Sequence, residues 1–213
     1  MGRLVVIEGL DGAGKRTLAD RLLTALAARG ARTATIAFPR YGADVHADLV
    51  RDALHGRLGD LTDSVHAMAV LFALDRRGAA DAVRTAVAGH DLVLVDRYVA
   101  SNAAYGAARL HQDAGGEFVA WVRELEVDRF GLPVPDRHLL LAVPRDVAAE
   151  RAAHRERTEP GRERDRFEAD GGLQERTAAV YRGLADTAWL APWTVLDGTA
   201  AVDLDALAGR LLG

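Results

Sequence analysis

Three residue types are scarce in this chain of 213 residues: it has no cysteine, a single lysine and a single asparagine. Without cysteine, neither a disulfide scaffold nor a thiolate metal site can form. Long apolar runs are also missing, since none approaches the ~20 residues that a membrane-spanning helix needs. The N-terminal residues enter an apolar run directly and leave no room for a signal peptide, so we expect a cytoplasmic protein with no membrane partner.

An excess of positive charge is missing too, because the net charge is −4. A basic stripe is the usual mark of a nucleic-acid-binding protein, so we expect no nucleic-acid partner. The hydrophobic content of 49% and the charged content of 27% are those of an ordinary globular protein, which argues against disorder. A chain of this length fits one domain, and we expect residues 1–213 to form it.

Apolar runs and helical patterns alternate along the chain. Five runs are expected to be strands, and the first and third of them to be buried: Arg3–Glu8, Ala31–Phe38, Asp91–Asp96, His138–Val143 and Trp193–Asp197. Helical patterns are found at Lys15–Gly30, where the glycine caps the helix, over most of 44–88, at Glu117–Arg129, Asp146–Arg155 and Phe167–Ala188, and at the C-terminus. Strands that alternate with helices indicate an α/β fold, with a five-stranded parallel sheet between two layers of helices.

The stretch EGLDGAGKRT at residues 8–17 matches the first seven positions of the phosphate-binding pattern G-x-x-x-x-G-K-[ST]. It lies between a predicted strand and a predicted helix, where such a loop has to be. Its glycines let backbone N–H groups surround phosphate oxygens, and the helix N-terminus adds its dipole. An ordinary glycine-rich turn is the alternative. The loop positions expected to contact ATP are Gly9, Gly12, Ala13, Gly14 and Lys15, the only lysine of the chain.

The residue after the lysine is Arg16, where the pattern has a Ser or Thr that binds magnesium. A guanidinium cannot coordinate a metal, but it can donate charge-assisted hydrogen bonds to phosphate. Thr17 is a further ATP-contacting candidate, but a helix turns ~100° per residue, so its hydroxyl should not replace the missing metal ligand. We therefore expect carboxylates to hold Mg²⁺, with Asp11 as first candidate and Asp96 and Glu168 as further ones.

A second pair of charged residues lies at the end of the predicted strand DLVLVD: Asp96 is its last residue and Arg97 follows it. Ligands of open α/β sheets bind at the carboxyl ends of the strands, so we expect Glu8, Asp96 and Arg97 to face the same crevice as Lys15. A helix or turn cap is the alternative for Asp96. A switch GTPase is excluded, because its guanine-reading N-K-x-D motif requires a second lysine.

Five motifs in this order resemble the thymidylate kinase family: EGLDGAGK, FPRYG, LFALDR, DRYVASNAAY and GLPVPD, which span residues 8–136. The GAGKRT variant is most similar to mycobacterial and other actinobacterial members. The resemblance implies a phosphate-loop kinase fold, transfer of a phosphoryl group from ATP to dTMP with Mg²⁺ as cofactor, and a homodimer. A kinase for another nucleoside monophosphate stays open, as does an ATP-binding protein that contacts nucleic acid through its arginines.

The resemblance also implies which residues contact the thymine base. Phe72 would stack on the ring, Arg76 would donate to O4, and Asn102 would pair with N3, with Ser101 close by. Phe72 and Arg76 are four residues apart and share one face of a predicted helix. Without the resemblance, core packing is the simpler interpretation of Phe72.

Further residues are expected around the sugar and the acceptor phosphate. By resemblance, Arg97 would bridge the donor and acceptor phosphates, Tyr105 would lie beneath the sugar and exclude a 2′-hydroxyl, and Tyr41 would contact the acceptor phosphate. At the end of the second predicted strand, Arg40 would pair with phosphate while Phe38 shapes the pocket. A structural role is the alternative for both tyrosines.

An arginine-rich segment covers residues 150–168. Its interleaved acidic residues are typical of a solvated helix face, and nucleic-acid contact is a further alternative. The resemblance implies a lid, over roughly residues 151–166, that closes over ATP. Guanidinium groups stabilise the charge that spreads over a transferring phosphoryl group. We expect Arg155 to be the first lid contact, because it precedes the Pro-Gly turn, with Arg151 and Arg162 next.

Overall fold

The structure, a computed structural model, describes residues 2–158 and 166–213 apart from the side chains of Arg155, Glu168 and Ala169. Within these residues there are five strands: β1 (Arg3–Glu8), β2 (Thr33–Ala37), β3 (Leu92–Asp96), β4 (Arg137–Ala142) and β5 (Trp193–Asp197). They form one parallel sheet in the order β2-β3-β1-β4-β5. Each expected strand is present, and the α/β fold class is confirmed.

Helices connect the strands on both faces of the sheet. They are α1 (Lys15–Ala28), α2 (Val45–Leu54), α3 (Val65–Gly89), α4 (Val99–Arg109), α5 (Glu117–Arg123), α6 (Arg145–Thr158), α7 (Arg166–Ala169), α8 (Gly171–Asp186) and α9 (Leu204–Leu212). A 3₁₀ turn at Gly59–Asp63 separates α2 from α3, and α5 continues as a π-helical segment at Glu124–Arg129. No helix in the described ranges is long and apolar enough to cross a membrane.

The sequence pattern does not predict α4, which follows β3 almost directly. Nine of its 11 residues are buried, and most of the buried ones are alanine. A helix that is buried on all sides has no polar stripe, so the periodicity that reveals an amphipathic helix is absent. This helix nevertheless carries three of the expected nucleotide-contacting residues, Ser101, Asn102 and Tyr105.

Apolar side chains fill both sides of the sheet. In β1, Leu4 and Val6 belong to the cluster formed with α3, α4 and α8, whereas Val5 and Ile7 belong to the cluster formed with α1 and α9. Successive side chains of a strand point to opposite faces. Burial of both faces is therefore the reason why the central strands β1, β3 and β4 appear in the sequence as near-continuous apolar runs.

The strand order creates a crevice at the carboxyl ends of β1 and β3. These strands are neighbours, yet α1, which follows β1, packs on one face of the sheet and α4, which follows β3, packs on the other. Such a switch point is where open α/β sheets bind their ligands. The phosphate-binding loop leaves β1 here, and Asp96 and Arg97 come at the end of β3.

The loop depends on close backbone packing at Gly12. Gly12 has a left-handed φ of 83°, and a Cβ atom placed on it would lie 2.0 Å from the carbonyl oxygen of Ala148 in α6. Gly30, just beyond the end of α1, has a similar φ of 77°, but a Cβ atom there would have nothing within 4 Å. The two glycines share a backbone conformation and differ in the space around them.

We expect Gly12→Ala to lower the free energy of unfolding by clearly more than the ~1–2 kcal/mol that a left-handed alanine costs at Gly30. The Ala148 carbonyl is part of a helix backbone and cannot move aside, so steric overlap adds to the conformational cost. Chemical denaturation of Gly12→Ala, with Gly30→Ala as the matched control, measures the difference. Equal losses in the two variants would contradict the packing of α6 on the loop.

Candidate active site

Lys15 is the first residue of α1, and its ammonium group is turned into the loop. Nζ donates hydrogen bonds to the carbonyl oxygens of Gly9 over 3.1 Å and Leu10 over 2.9 Å, and the side chain is buried. Burial, together with the positive charge of Arg97, lowers the pKa of Lys15 to about 8. The loop therefore holds the Lys15 ammonium group at a position where little water is present to stabilise its positive charge.

We expect Lys15 to titrate with a pKa of about 8, compared with ~10.4 for an exposed lysine. Because the charged form attracts phosphate, kcat/KM for ATP should fall as the pH rises through this pKa. In the unfolded chain Lys15 has the higher pKa and holds its proton more tightly than in the folded chain. The contribution of Lys15 to the free energy of unfolding should therefore increase with pH between the folded pKa of about 8 and the unfolded pKa of ~10.4.

Since Lys15 is the only lysine, labelling with [13C]lysine gives a single Cε signal whose chemical shift reports its titration directly. The titration needs no substrate. A midpoint close to that of an exposed lysine would contradict the burial of this side chain.

Arg97 and Asp11 form an ion pair across the crevice. Nη2 of Arg97 donates to Oδ1 of Asp11 over 2.6 Å, and Nη1 donates to Oγ of Ser101 over 3.2 Å. The Tyr105 hydroxyl donates to the other oxygen of Asp11 over 2.8 Å. Burial alone would raise the pKa of Asp11, but the charges of Arg97 and Lys15 hold it well below its usual value. Asp11 is therefore a carboxylate at neutral pH.

Beneath the loop, Glu8 is fully buried and ties β1 to two helices. Its Oε1 accepts a hydrogen bond from the backbone N–H of Tyr98 over 2.9 Å, and its Oε2 accepts from Ser101 Oγ over 2.6 Å and from the Tyr181 hydroxyl over 2.9 Å. Burial raises the pKa of Glu8. The expectation that Glu8 faces the crevice is wrong, because these buried donors need an acceptor and the carboxyl group supplies it.

Asn102, Arg76 and Glu126 form a buried group beside α3. Nε and Nη2 of Arg76 donate to the two carboxylate oxygens of Glu126 over 2.5 and 2.8 Å, and Nδ2 of Asn102 donates to Glu126 and to the carbonyl oxygen of Ala69. Phe72 lies on the same helix as Ala69 and Arg76 and is partly buried. Sequence reasoning missed Glu126, because a glutamate in a helical pattern usually indicates a solvent-facing position.

Arg40 follows β2 and is paired with two carboxylates. Its Nε donates to Asp75 over 2.7 Å and its Nη2 donates to Asp44 over 2.8 Å. Phe38 is buried beside it, with the guanidinium 5.9 Å from the ring centre, while Tyr41 is exposed. Sequence reasoning missed both aspartates. A phosphate group would have to compete with them for the charge of Arg40.

Helix α6 begins the expected lid and touches the loop. Nη1 of Arg151 donates to the carbonyl oxygen of Ala13 over 3.2 Å, and both of its terminal nitrogens donate to the carbonyl oxygen of Gly198. Arg151 therefore links the loop to the segment that follows β5. Three expected site positions lie outside the described residues: all of Arg162, and the side chains of Arg155 and Glu168.

Beyond the expected lid segment, Phe167 contacts a residue of the crevice. Its ring stacks on that of Tyr105, with the centres 6.3 Å apart and an angle of 20° between the planes. The guanidinium of Arg109 lies 4.8 Å from the centre of the Phe167 ring. The sequence gives no signal for this contact, because an aromatic residue at the start of a predicted helix is compatible with any buried position.

Arg16 and Thr17 are both exposed at the first turn of α1, directly after the loop. Gly14 precedes this helix as its N-cap, and no side chain caps the first turn. The free backbone N–H groups of a helix start attract anions. Both side chains are therefore next to the part of the loop that is suited to phosphate.

Two carboxylates offer oxygen ligands for Mg²⁺. Asp11 lies in the loop, and Oδ1 of Asp96 is buried without a hydrogen-bond partner among the described residues. The same residues contain no group of three or more His, Cys, Asp or Glu side chains that could hold a metal ion. Mg²⁺ is usually held by one or two carboxylates together with water and substrate phosphate, and the two residues fit it in that way.

Comparison with known proteins gives the family of this chain. The family model described as thymidylate kinase matches residues 7–191. The thymidylate kinase of Mycobacterium tuberculosis (strain ATCC 25618 / H37Rv) is 53% identical over 208 residues, which cover 98% of this chain and 96% of that protein. The thymidylate kinase of Xanthomonas oryzae pv. oryzae (strain PXO99A) is 36% identical over all of this chain and 87% of its own length. The human thymidylate kinase is 29% identical over 95% of this chain and 85% of its own length. The chain belongs to the thymidylate kinase family.

Proposed function

We propose that this chain transfers the γ-phosphoryl group of ATP to dTMP and so forms dTDP and ADP. The observation that carries the proposal is the position of Arg97. Its guanidinium is bonded to Asp11 of the phosphate-binding loop and to Ser101 of α4, and Asn102 is the next residue of that helix. One cation thus lies between the loop suited to ATP and the helix suited to the acceptor nucleotide.

The reaction needs positioning and charge stabilisation. An oxygen of the dTMP phosphate attacks the γ-phosphorus of ATP, the bond from this phosphorus to the β–γ bridging oxygen breaks, and ADP leaves. Negative charge spreads over the transferring group in the transition state. Lys15, Arg16 and Arg97 supply positive charge around it. No covalent enzyme intermediate is required, because positioning alone removes a large part of the barrier.

On the donor side, the loop backbone would surround the ATP phosphates while arginines of the lid close over them. Arg151 already contacts the loop backbone through Ala13, which supports its proposed place next to the phosphates. Closure of such a lid excludes water and prevents hydrolysis of ATP. The proposed donor residues are Gly9, Gly12, Ala13, Gly14, Lys15, Arg16, Thr17, Arg151, Arg155 and Arg162.

Mg²⁺ is the proposed cofactor, held by Asp11 and Asp96 and by Glu168 after lid closure. When bound, it neutralises phosphate charge and orients the phosphate chain. Asp11 contributes in a second way, because its carboxylate accepts hydrogen bonds from Arg97 and from Tyr105. It thereby keeps both of these side chains in place before substrate enters.

On the acceptor side, the base is proposed to lie against Phe72, with Arg76 donating to O4 and Asn102 accepting from N3–H. Tyr105, fixed by its hydrogen bond to Asp11, would lie under the sugar. A cytosine in this position leaves polar groups unpaired, which is how such sites reject it. The other proposed acceptor residues are Phe38, Arg40, Tyr41, Arg97 and Ser101.

We propose one kinase domain over residues 1–213, with its lid at roughly 151–166, acting as a cytoplasmic homodimer without nucleic-acid or membrane partners. The dimer is supported by α2, where Val45 and Leu49 are 64% and 36% exposed. They are four residues apart and so lie on one helix face, and homodimer interfaces are rich in apolar residues.

Sedimentation equilibrium tests the dimer. We expect the mass of two chains for the wild type and the mass of one chain for Leu49→Glu, because a buried charge opposes association. Arg57→Glu, an exposed change beyond the end of α2, serves as control and should stay dimeric. A wild type that sediments as a single chain at micromolar concentration would contradict the proposal.

An assay of ADP release, coupled to NADH oxidation, tests the reaction itself. With ATP and Mg²⁺ present, ADP should form only when dTMP is added, and dTDP should accumulate in the same amount. ADP formation that does not depend on dTMP, or that requires nucleic acid, would contradict the proposed function.

A further inference from the structure

A buried carboxylate determines which way the side chain of Asn102 can face. Nδ2 of Asn102 donates to Oε1 of Glu126 over 2.8 Å and to the carbonyl oxygen of Ala69 over 3.0 Å. Both partners act only as acceptors, because Glu126 is a carboxylate paired with Arg76 and a backbone carbonyl has no hydrogen to donate. Both amide hydrogens are therefore used, and the amide oxygen has to point away from these partners.

The reversed orientation would be unfavourable. It would place the Asn102 oxygen against two other oxygens and leave all three without a hydrogen between them. Glu126 is 0% exposed and Asn102 is 6% exposed, so water cannot bridge the gap. Buried polar groups without partners are costly, and the cost is larger next to a charge.

We propose that Glu126 sets the base specificity of this enzyme by holding Asn102 as a hydrogen-bond acceptor. The inference rests on the proposed function, in which the base lies against Asn102 and Arg76. N3 of thymine carries a hydrogen and donates, whereas N3 of cytosine carries none and accepts. If the Asn102 amide could rotate and exchange its oxygen with its NH₂ group, it could pair with N3 of either base. Glu126 prevents this rotation, so it is a positioning residue that acts without touching substrate.

The same carboxylate also directs Arg76. Two of the three guanidinium nitrogens, Nε and Nη2, donate to Glu126, which fixes the plane of the group and leaves Nη1 for a further acceptor. O4 of thymine is an acceptor, and the amino group of cytosine at this position is not. Glu126 belongs to the π-helical segment at Glu124–Arg129, and such segments occur frequently at functional sites.

Glu126→Gln tests the proposal, because glutamine keeps the size of the side chain but adds an NH₂ group that can donate to the Asn102 oxygen. We expect the ratio of kcat/KM for dTMP to kcat/KM for dCMP to fall at least ~10-fold. Glu124→Gln is the matched control, since Glu124 lies in the same π-helical segment but is exposed and paired with Arg129, and its ratio should equal that of the wild type. Loss of dTMP turnover with an unchanged ratio would overturn the proposal, because Glu126 would then be merely structural.

A second measurement needs no substrate and no variant. Asn102 is the only asparagine of the chain, so [15N]asparagine labelling gives one side-chain NH₂ signal. Both hydrogens should exchange with solvent far more slowly than those of an exposed amide, and rapid exchange would overturn the proposal by showing that they face the crevice. If the wild type failed to phosphorylate dTMP, the proposed function would fall, while slow exchange would still support the orientation of Asn102.

Discussion

Replacing Arg97 with alanine should lower kcat/KM for dTMP at least ~10³-fold, as the loss of an arginine that acts on a transferring phosphoryl group does. The variant lacks the cation between the loop and α4. It also removes the partner that the Asp11 carboxylate has at 2.6 Å, so less of this negative charge is neutralised and phosphate is repelled more strongly. Steady-state kinetics with ATP and dTMP measures the effect.

The backbone of Arg97 supplies the control for this variant. Its φ of 64° is left-handed, a conformation that only glycine adopts without cost. Arg97→Gly should therefore be more stable than Arg97→Ala by ~1 kcal/mol and yet equally inactive. Arg97→Lys keeps the positive charge but loses the planar set of N–H donors of the guanidinium group. It should therefore retain only part of the wild-type activity. If the activities of the three variants ranked in the same order as their free energies of unfolding, the proposed catalytic role of Arg97 would be wrong.

Replacing Arg16 with alanine should lower kcat ~10²-fold or more and leave the dependence on Mg²⁺ unchanged. Arg16 is exposed at the first turn of α1, and in the proposed function its guanidinium contacts phosphate, because it cannot bind metal. Rates measured over a range of Mg²⁺ concentrations separate the two roles. Arg21→Ala is the matched control, because Arg21 is an exposed arginine further along the same helix, and it should behave like the wild type.

Asp11→Asn should differ from Arg16→Ala in its dependence on Mg²⁺. We expect it to raise the Mg²⁺ concentration needed for half-maximal rate. The amide keeps the shape of the carboxylate but lacks its negative charge, so it binds Mg²⁺ more weakly. Wild-type turnover in Arg16→Ala would refute the role of Arg16. A changed Mg²⁺ requirement in Arg16→Ala, without one in Asp11→Asn, would refute the assignment of the metal ligands.

Most of the sheet and the loop were predictable from local sequence. The central strands β1, β3 and β4 are runs of buried residues, whereas the edge strands β2 and β5 are partly exposed. The loop is a contiguous motif between β1 and α1. The helix α4 was not predictable, because its buried alanines have no polar face to contrast with. Its residues Ser101 and Asn102 were found only through their resemblance to a family motif.

The partners of the charged residues were harder to predict than the residues themselves. Arg76 was expected at the base, but its partner Glu126 lies 50 positions away in the chain. Arg40 was expected to be available to phosphate, and the aspartate that accepts from its Nε lies 35 positions away. Local patterns show which side chains are charged, while only tertiary packing decides which charges meet.

One competition reaction tests most directly whether this enzyme selects dTMP. Equal concentrations of dTMP, dUMP, dCMP, dGMP and AMP share a limiting amount of ATP, and the nucleoside diphosphates are separated by chromatography. With Asn102 as acceptor and Arg76 as donor, dTDP should be the main product, with less dUDP because uracil lacks the methyl group, and little dCDP. Equal amounts of dCDP and dTDP, or a mixture without dTDP, would contradict the assignment.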